Sequence, residues 1–370
     1  MHGRFPQSAV SAYLDTAAEG LPPAESAAAL QQYFLHKSSG SPGRAAIYEM
    51  QRLTEASVAQ LMGASPDSVT LLANASDALN LLANSIPWRA GDEVVLIDLE
   101  FPSNVLAWLR LKHFGVNVRV ITTTNGIVRL EDFTAHMNNR TRLVSVSAVS
   151  YKTGTRIPFL PEIARAAHAR GAYFCVDATQ ALGRVPVPLD GVDYLVASSY
   201  KWLLGTHGLG ITYVSNGLRD AVHPGAVGWY SVEDVFHDQR FETFSWKSGA
   251  AGLLAGMPNF PAIFALKSGL DVLLETGVEK IDRSLQPLVA DLHRGIARLG
   301  LTLLTPSEPE FSSGILSFVH PHPHELALAL RQAGVVVWGG DGRVRASVHL
   351  YNCENDIARF LDQLRRRASA

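Results

Sequence analysis

Lys201 stands in Ser198-Ser199-Tyr200-Lys201-Trp202, just past the apolar run Tyr194-Leu195-Val196-Ala197. That run reads as a buried strand, which puts the lysine on a rigid edge inside a cleft. Asp177 ends the preceding strand-like run, Ala172 to Val176, and Gln180 follows three residues later. A lysine and a carboxylate on neighbouring strand ends suit pyridoxal phosphate chemistry. The amine forms a Schiff base with the aldehyde, and the acid keeps the ring nitrogen protonated. A lone lysine after a strand is usually a surface charge, so the surroundings decide. Ser198 and Tyr200 bring hydroxyls suited to a phosphate. Gly205, Gly208 and Gly210 give a tight turn into the next strand. Asp177 lies where ligands of open α/β sheets bind. Taken alone, Asp177 also reads as a helix cap. Set against a pyridinium, it raises the nitrogen's pKa by attraction of opposite charges. Gln180 then reaches the ring's phenolic oxygen, and Thr179 packs its methyl on the ring face.

Three further groups fit the same chemistry. Asn74-Ala75-Ser76-Asp77-Ala78-Leu79-Asn80 lies between the strand candidate Val69–Leu72 and an apolar helix. Helix N-termini present free N–H groups and a positive dipole end, so Ala75, Ser76 and Asp77 form a candidate phosphate cradle. The plain alternative is an ordinary N-cap. Phe101 follows the strand candidate Glu93–Ile97 and suits stacking on a flat ring, although a core phenylalanine reads equally well. Arg345, at a strand start, has the guanidinium geometry to clamp a carboxylate; the alternative is a paired surface arginine. His320-Pro321-His322-Pro323-His324 looks metal-like, but its proline spacing reads as a solvent loop, and no metal is expected.

The elements that must position these groups follow from apolar patterning. Short apolar runs alternate with helical patterns from about residue 45 to 215, which argues for an α/β layer architecture. The remaining strand candidates there are Val118–Ile121, Leu143–Val149 and Gly210–Val214. Several lack in/out alternation, as expected for strands covered on both faces. Pro161 to Arg170, closed by Gly171, has a proline start and a glycine stop. The segment from about Ala221 to Pro258 is irregular and rich in Gly, Trp and Phe, and reads as a long loop region suited to sites and subunit contacts. Phe260 to Leu299 reads as one or two helices with Gly277 as a break. Gly314–Val319, a helix from Pro323 to Gln332, Val335–Trp338, Val344–Val348 and a last helix from Asn355 to Arg366 make a smaller α+β unit.

The bulk numbers exclude several classes. At 370 residues the chain can bury a large core and is expected to divide in two. A net charge of −2 points to neither nucleic acid nor an anionic membrane as partner. Its two cysteines, Cys175 and Cys353, are far apart, which fits a reducing compartment without disulfides. No apolar signal core or membrane-length run appears, so cytoplasm is the expected location. Neither a GxGxxG nor a P-loop is present, which disfavours a nucleotide-binding oxidoreductase.

Together the motifs resemble the class V aminotransferase group of fold-type I pyridoxal phosphate enzymes. That group includes cysteine desulfurases, selenocysteine lyases, kynureninase and isopenicillin N epimerase-like proteins. The resemblance runs from Tyr13-Leu14-Asp15-Thr16-Ala17-Ala18, through Val176-Asp177-Ala178-Thr179-Gln180-Ala181-Leu182-Gly183 and Ser199-Tyr200-Lys201-Trp202-Leu203, to Arg345–Asn352. It implies a large, mainly parallel seven-stranded sheet domain over 16–258, with 1–15 and 259–370 forming the smaller α+β domain and linking helices. It implies Lys201 as the Schiff-base lysine, Asp177 as ring-nitrogen partner and Gln180 as phenolic-oxygen contact. It implies Ser76, Ser198 and Tyr200 as phosphate contacts, Phe101 at the ring-stacking position and Arg345 on the substrate α-carboxylate. Tyr151 stands where many relatives place an asparagine near the phenolic oxygen. The group is usually a homodimer with interface active sites, so Arg240 to Asn259 is expected to border the partner's site.

The departures carry the functional information. Desulfurases of this group have a histidine at the Phe101 position, and phenylalanine moves no proton. They also carry a nucleophilic cysteine on a loop before the carboxylate-binding arginine, and Gly334 to Arg343 contains none. A persulfide-forming desulfurase is therefore disfavoured. The expectation is an enzyme acting on an α-amino acid by aminotransferase-type chemistry, with C–S elimination from a cysteine derivative, or epimerisation, as the alternatives. A non-catalytic relative is disfavoured, since a scaffold needs none of Lys201, Asp177 and Arg345. Trp229, Arg240, Trp246, His207 and His349 are further pocket candidates.

Overall fold

A computed structural model describes residues 3–368. Seven strands form the larger sheet: β1 (Val69–Leu72), β2 (Glu93–Ile97), β3 (Asn117–Ile121), β4 (Thr141–Ser147), β5 (Tyr173–Asp177), β6 (Tyr194–Ser198) and β7 (Gly210–Val214). Their spatial order is β1-β7-β6-β5-β4-β2-β3. Every pairing is parallel except those of β7, which runs against both β1 and β6. Helices cover both faces, so β1, β2 and β6 are buried at every position and show no alternation. Each buried Val, Leu or Ile contributes about 1.5–3 kcal/mol over leaving it in water.

The sheet differs from the sequence expectation at the strand ends that matter most. β5 continues through Asp177, which pairs with Ser147 and Val196. β6 continues through Ser198, opposite Gly210. An apolar-run criterion stops one residue short of each, because the last ladder position of each strand is polar. β4 is Thr141–Ser147 rather than Leu143–Val149. Ala148 and Val149 are apolar but already belong to the turn, where Ile157 N–H donates to Ala148 O. The first helix after β4 spans Leu160–His168, slightly earlier and shorter than expected.

Beyond β7 the chain is largely irregular to Pro258, with a short helix at Asn216–Ala221, a Val232–Trp246 bridge and one 3-10 turn at Gly249–Leu253. Two long helices follow, Phe260–Thr276 and Val278–Arg298, separated at Gly277, whose φ of 84° ends the first. A three-stranded antiparallel sheet then forms from β8 (Ile315–Val319), β9 (Trp338–Gly340) and β10 (Arg343–Ser347), in the order β9-β10-β8. Asp341 and Gly342, at φ 49° and 69°, make the two-residue hairpin between β9 and β10. The expected strand Val335–Trp338 is divided. Val335–Val336 pairs in parallel with Ala12–Tyr13, and Trp338 opens β9. Among the described residues, no helix is long and apolar enough to cross a membrane.

Candidate active site

Lys201 and Asp177 follow from the ends of adjacent parallel strands. Each is held by groups that strand patterning does not reveal. Beyond β6 the chain turns through Ser199–Leu209. Ser199 Oγ donates to Thr206 O at 2.6 Å, and Gly205 N–H returns to Ser199 O. Trp202, fully buried, anchors the residue next to the lysine. Gly20 N–H donates to Tyr200 O at 2.8 Å, and a Cβ at Gly20 would lie 1.9 Å from Lys201 O. The lysine backbone is thus clasped by a glycine about 180 residues earlier, which the sequence reading missed. Its signal was a Gly-Leu-Pro-Pro turn with no visible partner.

A cavity of about 140 Å³ lies at these strand ends. It is lined by Asn74, Ala75, Ser76, Phe101, Ser103, Ser147, Val149, Tyr151, Asp177, Thr179, Gln180, Ser198, Tyr200 and Lys201. Of the residues expected to hold the cofactor, only Asp77 is not part of this lining. Asn74 caps the helix Ala75–Ser85 by accepting from Asp77 N–H at 2.8 Å, so Asp77 serves the cap. Ser76 Oγ lies 2.7 Å from Ser103 Oγ, a hydroxyl pair beside the helix N-terminus. Thr179 N–H donates to Asp177 Oδ1 at 2.9 Å, and Thr179 Oγ1 accepts from Ser198 N–H at 3.2 Å. Asp177 therefore ends β5 and braces the turn that follows rather than capping a helix. Tyr200 stacks on His207 at 4.3 Å.

Gln180 is locked. Trp202 Nε1 donates to its Oε1 at 2.7 Å, and its Nε2 donates to Ala17 O at 3.0 Å. An amide nitrogen carries two hydrogens, so one N–H is left for the cavity. Phe101 is 41% exposed and meets Tyr151 edge-on at 5.1 Å. Lys201 Nζ lies 5.4 Å from the Phe101 ring centre and 5.5 Å from that of Tyr200.

Burial and charge tune the groups in a consistent direction. Burial, then the positive charge of Arg345, pushes the Lys201 amine down to about 8. Burial raises the Asp177 carboxyl, opposed by hydrogen bonds from Thr179 and by the Lys201 charge. Arg345, the third residue of β10 and 5% exposed, donates from Nη1 to Tyr151 O at 3.0 Å. Its Nη2 is 3.9 Å from Asp15, whose carboxyl burial raises to about 7. Burial brings the Arg345 guanidinium down to about 10.

The other pocket candidates lie elsewhere. His349 is fully buried against Trp202 O at 3.0 Å, and burial drops its pKa to about 3. Trp246 lines a separate apolar cavity of about 610 Å³ beside Asn216–Ala221, and Trp229 lines a third beside Tyr48. Glu100, missed by sequence, lies under the site. It accepts from Ser147 N–H at 2.8 Å, Ser147 Oγ at 2.6 Å and Asn104 Nδ2 at 2.7 Å. Burial raises its carboxyl to about 7.

This donor set fits pyridoxal phosphate. The buried Asp177 gains by facing a cation, which a protonated ring nitrogen supplies. The less basic lysine amine suits an aldehyde, and hydroxyls with helix amides suit a phosphate.

The profile of the family described as aminotransferase class-V matches residues 12–360. A probable cysteine desulfurase of Methanothermobacter thermautotrophicus is 31% identical over 377 residues, covering 93% of this chain and 92% of the relative. An uncharacterized aminotransferase of Bacillus subtilis, YcbU, is 29% identical over 308 residues, covering 83% and 80%. Among solved structures, the apo cysteine desulfurase of Thermococcus onnurineus superposes with a TM-score of 0.91 at 25% identity, covering 100% of this chain and 97% of that one.

Proposed function

As a member of the class-V aminotransferase family, this chain is a pyridoxal phosphate enzyme of fold type I, and we propose that it acts on an α-amino acid held by Arg345 and deprotonated by Lys201. The observation that carries this reading is the pairing of a buried lysine of lowered basicity with a buried arginine whose charge helps lower it. When bound, the cofactor supplies an electron sink for the substrate's α-carbon. Asp177, steadied by Thr179, holds the ring nitrogen. Gln180 offers its remaining N–H to the phenolic oxygen, with Tyr151 beside it. Ala75, Ser76, Ser198 and Tyr200 hold the phosphate, and Phe101 covers the ring. Arg345 orients the substrate through its α-carboxylate. Lys201 Nζ takes the α-proton; return of that proton to another atom or face gives transamination or epimerisation, whereas departure of a β-substituent with its bonding electrons gives elimination.

Aminotransferase-type chemistry is the reading we favour. Neither cysteine lines the cavity, and Cys175 is buried in β5 with its thiol pushed up by burial. Without a thiol at the site, a persulfide route has no acceptor. Elimination from a cysteine derivative is the second reading; the name of the Methanothermobacter relative, a probable cysteine desulfurase, gives cysteine as that protein's substrate without naming an elimination. An amino-acid panel followed for spectral shift, keto acid and sulfide separates the two. The Lys201→Ala variant is expected to lose the visible band and the borohydride-reducible link to the cofactor; survival of both would overturn the assignment. Arg345→Ala is expected to weaken amino-acid binding more than cofactor binding.

We also infer a homodimer with Arg240 to Asn259 bordering the partner's site. Phe236 and Phe241 are 83% and 87% exposed, and Trp229, Phe244 and Met257 are exposed in the same segment. Such a density of exposed apolar side chains marks an interaction surface. Phe236→Arg with Phe241→Arg should move the sedimentation coefficient toward that of a single chain, and an unchanged value rejects this surface.

A further inference from the structure

Arg345 is not alone on its strand. Side chains two residues apart on a strand share a face, so Arg343, Arg345 and Ser347 of β10 point one way. Val344 and Ala346 point the other way, into the hydrophobic core. Arg343 is only 2% exposed. Its guanidinium carbon lies 4.8 Å from the centre of the Trp338 indole, and that of Arg345 lies 5.2 Å from the same ring. Tyr151 joins them a second time. Its carbonyl accepts from Arg345, and its ring, which lines the cofactor cavity, carries the Arg343 guanidinium at 5.5 Å.

Two buried guanidiniums side by side repel each other, and the Arg343 charge indeed lowers the pKa of Arg345. The carboxylates near them do not balance the pair. Asp15 is 3.9 Å from Arg345, and burial raises its carboxyl to about 7, so it is only partly ionised near neutral pH. Asp341 pairs with Arg343 Nη1 but is 70% exposed on the hairpin tip. The Nε of each arginine is buried without a hydrogen-bond partner among the described residues. Buried donors of this kind are costly unless something fills them. An α-carboxylate on Arg345 satisfies one guanidinium and leaves the other.

We propose that Arg343 binds a second anionic group, on the substrate's side chain, so that the enzyme selects α-amino acids with an acidic side chain. This rests on the reading that Arg345 holds the α-carboxylate. Strand positions two apart are about 7 Å from each other, and both guanidiniums lie against the one Trp338 ring, which draws their heads together toward the span of a short dicarboxylic amino acid. The Asp341 carboxylate occupies one Arg343 nitrogen from the solvent side, and an acidic side chain competes with it.

The test compares near-isosteric pairs on the holoenzyme: aspartate with asparagine, and glutamate with glutamine. Spectral shift and kcat/KM are both measured. The acid member of a pair should be preferred by about 30-fold or more, the scale of a charge-assisted hydrogen bond to a buried group. In Arg343→Met that preference should collapse toward unity, and Asp341→Asn should strengthen it. Because a buried arginine variant can misfold, unmodified enzyme is also assayed for inhibition: succinate should compete better than butyrate. Equal handling of the acid and amide members, or equal inhibition by the two carboxylates, overturns the inference while leaving the α-amino acid reading intact. A proportional loss for all amino acids in a folded Arg343→Met also overturns it, since that marks a structural arginine. Failure of every amino acid to shift the spectrum instead defeats the broader reading.

Discussion

At the level of single residues, the lysine amine is the group whose protonation can be followed. Its pKa of about 8 lies below the ordinary lysine value of 10.5 because of burial first and Arg345 second. Capture of the aldehyde requires the neutral amine. The rate at which apo-protein takes up pyridoxal phosphate should therefore climb about tenfold per pH unit below about 8 and level off above it. Arg345→Met removes the nearby positive charge, so the midpoint should move upward; stopped-flow absorbance across pH 6 to 10 checks both points. Lys201, Asp177, Thr179 and Gln180 could be picked out as site candidates because each lies within four residues of the end of an apolar run, where α/β sheets place their chemistry. Asp15, Glu100 and Arg343 were not legible as site groups. Their meaning depends on partners such as Arg345, Ser147 and Trp338, and no local pattern encodes those distances. Asp77 misled for the opposite reason: a helix start offers both cap and cradle, and here its N–H belongs to Asn74.

At the level of elements, the proposed phosphate cradle depends on how closely β7 approaches the turn before the helix Ala75–Ser85. Gly210 opens β7, and a Cβ there would sit 2.4 Å from the Asn74 carbonyl carbon. Gly210→Ala must push that turn outward. Overpacking of this kind costs about 1–3 kcal/mol, so cofactor affinity should fall by about tenfold or more. Gly217→Ala is the control, since its Cβ would meet nothing nearer than Ser215 Oγ at 4.0 Å. Equilibrium titration of the two variants with pyridoxal phosphate makes the comparison. The strands themselves were legible to within one or two residues, because burial on both faces demands continuous apolar runs. The division of 335–340 between two sheets was not. Val335 and Val337 are both buried, and only the pairing partners, Ala12–Tyr13 and β10, separate the halves.

For the molecule as a whole, buried carboxyls shape stability against pH. Glu100 has a folded pKa of about 7 against an ordinary 4.5, raised by burial. Its favourable contribution is complete below about 4.5 and is lost as pH rises through about 7, a change on the order of 3 kcal/mol. Asp15 acts in the same direction, from 3.8 to about 7. Apo-protein should thus lose urea resistance between about pH 4.5 and 7, and Glu100→Gln should flatten that slope; an equal slope in the variant refutes the assignment. The overall α/β architecture was legible because alternating apolar runs and helical patterns admit few layer arrangements. The joining of residues 1–15 to 259–370 was expected only through the family resemblance, and the contacts that make it were not readable from sequence. Ala12–Tyr13 lies against Val335–Val336, Ser347 N–H donates to Leu14 O, Asn352 Nδ2 donates to Tyr13 O at 2.8 Å, and Gly20 and Ala17 reach the Lys201 turn and Gln180. Residues 12–14 are therefore held by segments more than 300 positions further along the chain. A chain truncated before Val335 is expected to leave Gly20 unanchored against the lysine turn and to bind pyridoxal phosphate more weakly.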